Sequence, residues 1–126
     1  MLDEKKEEEF NTRLNLLYNS GQINERILNF TKKLIGWLQE QHILIDSEKG
    51  NMLVVHLALA LQRLEKKEAF EEGDIKTLKK ELASHPQELE LAQRMAEMTK
   101  QELDISIPEI EIYFIAVHIC NAKNLI

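Results

Sequence analysis

The sequence predicts an all-α domain, a compact bundle of about five helices. Three observations lead there. Apolar residues recur at intervals of three and four along most of the chain. Four glycines and two prolines in 126 residues are too few for a turn-dense β-sandwich. A hydrophobic share of 44% is too high for disorder and suits one folded domain of this length.

The first helix is expected from about Asp3 to Asn19, with an acidic start at 1–13 and apolar Phe10, Leu14, Leu16 and Leu17. Asn19-Ser20-Gly21 ends it, because glycine tolerates the left-handed conformation that closes helices. A second runs from about Ile23 to Gln41 with Ile27, Phe30, Leu34 and Leu38 on one stripe, beside Ile23 and Trp37. His42 to Asp46 leads into a loop at Ser47-Glu48-Lys49-Gly50. The third, about Asn51 to Lys67, opens with a run from Met52 to Leu61 that is apolar around nearly its whole circumference, so a central position is expected.

Residues 69–85 are charged, contain Gly73, and read as a loop with room for one short helix. Pro86 suits the first turn of the next helix, about 86–102, which carries Leu89, Ala92, Met95 and Ala96 inward. Ile105-Ser106-Ile107 precedes Pro108 and is expected to be extended. The segment Ile112 to Cys120 would suit a buried strand equally well by composition. Its length, and a Pro108-Glu109 start with Glu111 near the positive helix end, favour a helix.

Charge and cysteine content narrow the function. Sixteen basic against 22 acidic residues give a net charge of −6. The basic residues are interspersed with acids, as in Glu65-Lys66-Lys67-Glu68, so direct nucleic-acid binding is disfavoured. The single Cys120 excludes an intrachain disulfide and fits a reducing compartment. Apolar runs stay well short of the ~20 residues of a membrane span, and the charged start is unlike a signal peptide. A cytoplasmic protein, with no membrane association, is expected.

Two histidines stand alone in apolar runs: His56 within 52–61 and His118 within 112–120. Arg63 follows His56 by seven residues and Glu111 precedes His118 by seven, so each shares a helical stripe with one charged group. Either these are core histidines satisfied by their neighbours, with an ordinary polar edge beside them, or they form a functional pair. Other chemistries find no support. There is no phosphate-cradling glycine motif, no HExxH or CxxC, and no nucleophile–base pair, so no cofactor, no metal and no enzymatic activity are expected. His118 and Cys120 are two apart and face different sides of a helix. Cys120 reads as a small buried apolar residue, and His42 and His85 as solvated.

The run Asn51-Met-Leu-Val-Val-His56-Leu-Ala-Leu-Ala-Leu-Gln-Arg63-Leu64, followed by Ile107-Pro-Glu-Ile-Glu-Ile-Tyr-Phe-Ile-Ala-Val-His118-Ile119, resembles the phosphotransferase-system regulation domain, or PRD, over about Leu14 to Asn124. The resemblance implies a helical bundle at 14–126 that commonly forms homodimers. It implies a regulatory role in transcription, with histidines phosphorylated by the carrier HPr or an EIIB component of the sugar phosphotransferase system. His56 and His118 then become the phospho-acceptors, and Arg63 and Glu111 supporting groups. Family members usually carry two such domains and an output module. Here the expectation is a free-standing single domain acting through a protein partner. The alternative is a helical interaction module whose histidines are structural.

Overall fold

Turn chemistry and apolar spacing place the helices, and a computed structural model describes them over residues 4–43, 48–68 and 74–125, with side chains from Thr12 onward. Among these residues there are six helices and no strand: α1 Glu4–Asn19, α2 Glu25–Glu40, α3 Glu48–Glu65, α4 Ile75–Leu82, α5 Pro86–Leu103 and α6 Glu109–Ala122. The all-α expectation holds, and α4 is the short helix for which the charged stretch left room. The strand-compatible run 112–120 is helical. The expected loop residues 44–47 and 69–73, with Gly73, lie outside the described residues, as does the side chain of Phe10.

The helix ends follow local chemistry. Gly21 takes φ +79° in the turn after α1. Asn24 caps α2, its side chain accepting from the Ile27 N–H at 3.0 Å. Asp74 caps α4 in the same way through Thr77 at 3.2 Å. Pro86 opens α5, and Asp104 closes it in the left-handed region. Pro108 is the N-cap of α6, which places Glu109 and Glu111 in its first turn. One start differs from expectation: α3 begins at Glu48, so Glu48-Lys49-Gly50 is helical rather than loop, and Gly50 is buried.

The core is built from the stripes the periodicity picks out. Ile27, Phe30, Leu34 and Leu38 of α2, Leu53, Leu57 and Leu61 of α3, Ala92 and Met95 of α5, and Ile115 and Ile119 of α6 are all buried. Leu14 is fully buried, whereas Leu16 is 61% exposed and lies off the inward face.

Packing divides the chain into two sets of three. Helix α3 packs against α1, α2 and α6, while α6 packs against α3, α4 and α5. The α3–α6 contact is therefore the main seam between an N-terminal trio and a C-terminal trio. Helix α3 is central, as expected, but not enclosed: Met52 is 56% exposed and Val55 and Leu59 are half-buried. No helix among the described residues is long and apolar enough to cross a membrane.

Candidate functional site

Helical spacing puts Met52, Val55, His56, Leu59 and Arg63 along one side of α3, and that side is the one left partly open. On α6 the half-buried positions Ile110, Phe114, Val117, His118 and Asn121 form a matching stripe. Helices α3 and α6 pack together, and the histidines of the two stripes meet at that seam. Their ring centroids are 4.5 Å apart, with the planes tilted by 35°.

Glu111 completes the arrangement. Its carboxylate is 3% exposed, and Oε1 lies 2.5 Å from His56 Nε2. A carboxylate only accepts, so Nε2 carries the proton, and the lone pair of a neutral His56 ring resides on Nδ1. Glu111 also sits in the first turn of α6, where the exposed N–H groups favour negative charge. The ring of His56 thus bridges two α6 side chains that are two helical turns apart, Glu111 and His118.

Sequence spacing had linked Glu111 with His118 on their common stripe. Its hydrogen bond instead goes to His56, because seven residues place two groups on one face about 10.5 Å apart along the axis, too far for direct contact. Arg63 is separated from His56 by the same axial distance. Its Nε lies 3.7 Å from Glu68 Oε2, and it lines a surface recess with Gln22, Gln62 and Lys66.

Electrostatics distinguish the two rings. Burial holds the His118 pKa below its ordinary 6.5, the positive form of His56 pushes the same way, and Glu111 partly opposes both. That shift favours the neutral form of His118, in which one ring nitrogen keeps its lone pair. Both rings are half-buried rather than sealed, the His56 side chain being 35% exposed.

The remaining histidines separate. His42 is exposed, as expected, at φ +65°. His85, expected to be solvated, is only 18% exposed and its Nδ1 lies 3.8 Å from Glu88 Oε1. Cys120 is fully buried, as expected, and burial raises its thiol pKa, as does the charge of Glu88. Glu88 was not singled out by sequence; it is a second buried carboxylate beside a histidine, and His-x-x-Glu at a helix start is the signal that marks it.

Comparison with known proteins adds one finding. The family model described as PRD domain matches residues 39–122, two thirds of the chain, from the end of α2 through α6. The expected match was longer, starting near Leu14. No curated protein matches, and no solved structure does.

Proposed function

This chain belongs to the PRD domain family, and from that premise we propose that the seam histidines receive the phosphoryl group by which a sugar phosphotransferase system regulates it. PRD is a regulatory family rather than a catalytic one, acting at the family level through phosphotransferase-system phosphorylation. The donor is HPr or an EIIB component in the cytoplasm.

The observation that carries this reading is the Glu111–His56–His118 row, open to one side within an apolar stripe. His118, its neutral form favoured, is the first acceptor. Its ring nitrogen attacks phosphorus, the donor's bond to phosphorus breaks as the N–P bond forms, and the donor leaves with the electron pair. The new group adds roughly −1.5 to −2 charge beside His56, by analogy with hydroxyl phosphorylation. A protonated His56 can then turn from Glu111 to the phosphate, which leaves a buried carboxylate without its partner. Helix α6 must repack or expose that end, and the apolar stripe changes with it. The stripe is where a second copy or an output partner in transcriptional regulation docks. Arg63, exposed at the far end of the stripe, meets the docking donor.

A second reading keeps the fold and makes the histidines structural in a helical interaction module; the Glu111–His56 bond favours it, being what a satisfied core histidine shows. One experiment separates the two. The protein is incubated with enzyme I, HPr and labelled phosphoenolpyruvate, with and without EII components. Acid-labile label is expected on wild type, reduced in His118→Ala and lost in the double variant with His56→Ala. No label with every donor present overturns the acceptor reading.

A further inference from the structure

The second buried carboxylate has a setting of its own. His85, the N-cap of α5, and Glu88 in its first turn face Cys120 on α6. One ligand atom from each of the three lies within 4.8 Å of the other two. Glu88 is 6% exposed at its side chain and Cys120 is fully buried, while His85 at 18% remains reachable from solvent. We propose that His85, Glu88 and Cys120 bind one zinc-type divalent transition-metal ion, clamping the start of α5 to α6.

The geometry is close to that of a loaded site. Tetrahedral zinc with nitrogen or oxygen bonds of about 2.0–2.1 Å and a sulfur bond of about 2.3 Å holds neighbouring ligand atoms roughly 3.3–3.5 Å apart. His85 Nδ1 and Glu88 Oε1 are at 3.8 Å and all three ligand atoms lie within 4.8 Å of one another, so side-chain rotations must draw them inward to close on the ion. The other carboxylate oxygen, Oε2, accepts from Lys123 Nζ at 2.8 Å. That bond orients Glu88 so that Oε1 stays directed at His85, the role outer-sphere hydrogen bonds play around metals.

The donor set selects the ion. Thiolate and imidazole favour zinc over the hard cations magnesium and calcium, which take oxygen ligands. Thiolate and carboxylate offset the 2+ ion within the ligand set, Lys123 stays outside it as the partner of Oε2, and the Cys120 thiol proton is released to solvent as the sulfur–metal bond forms. Three protein ligands leave a fourth position for water on the His85 side. This site uses none of the residues of the seam pair, so it stands or falls separately from the phosphorylation reading.

Cobalt(II) is the spectroscopic probe and zinc the competitor. The full chain, stripped with chelator and shown folded by circular dichroism, is titrated with cobalt. One equivalent is expected to bind, with a sulfur-to-cobalt charge-transfer band that zinc abolishes, and zinc is expected to raise the melting temperature. The band disappears in Cys120→Ser, and binding weakens at least tenfold in His85→Asn and Glu88→Gln. His42→Asn, at an exposed histidine outside the cluster, leaves all of this unchanged. Absence of stoichiometric binding overturns the proposal. So does cobalt bound without the thiolate band, or a band that persists in Cys120→Ser.

Discussion

Burying Glu111 takes a charge out of water, and two things offset that cost: the His56 N–H and the first turn of α6. Glu111→Gln preserves shape but removes the charge. Denaturant unfolding should show a loss of up to about 1.5–3 kcal/mol, the scale of one charge-assisted hydrogen bond. At His118 the effect is one of pH. Its folded pKa is depressed, so between that value and 6.5 the unfolded chain binds more protons, and stability falls as pH drops below 6.5. His118→Asn should flatten that slope relative to wild type, with His56 and Glu111 still present in both; an unchanged slope would place the ring in water. Both histidines were visible in the sequence as polar residues interrupting apolar runs, and Glu111 as the charged group seven residues before His118. Their pairing was not, because spacing along one helix says nothing of what another helix brings to it.

At the scale of elements, buried and half-buried positions on the same helices should respond differently. Leu57 is 1% exposed, so Leu57→Ala should cost about 2–5 kcal/mol in chemical denaturation. Phe114 would read from sequence as equally buried, but it lies half-buried on the open stripe of α6. Phe114→Ala should cost clearly less, and an equal cost would show the stripe to be covered. Helix interiors and most ends were legible: Gly21, Pro86 and Pro108 mark boundaries by backbone restriction alone. The start of α3 was not. Glycine reads as a breaker in sequence, yet Gly50 is buried in the first turn of α3, a tertiary contact that spacing along the chain does not reveal.

Over the whole molecule, two trios of helices meet at α3–α6, and the apolar stripes on that seam surround the histidines. A charge added there acts on both trios and on whatever covers the stripes. Sedimentation of the unphosphorylated chain should show a concentration-dependent dimer weakened by Phe114→Glu; a strictly monomeric wild type would direct the output to a different partner. The fold class follows from periodicity, whereas the seam is a tertiary fact, set by which faces two distant helices bury together.

The most direct measurement is nitrogen-coupled phosphorus NMR on the phosphorylated, ¹⁵N-labelled protein. One phosphoramidate resonance is expected, coupled to a ring nitrogen of His118 and absent in His118→Ala. A resonance on His42 or His85, or none after exposure to every donor, would contradict the account.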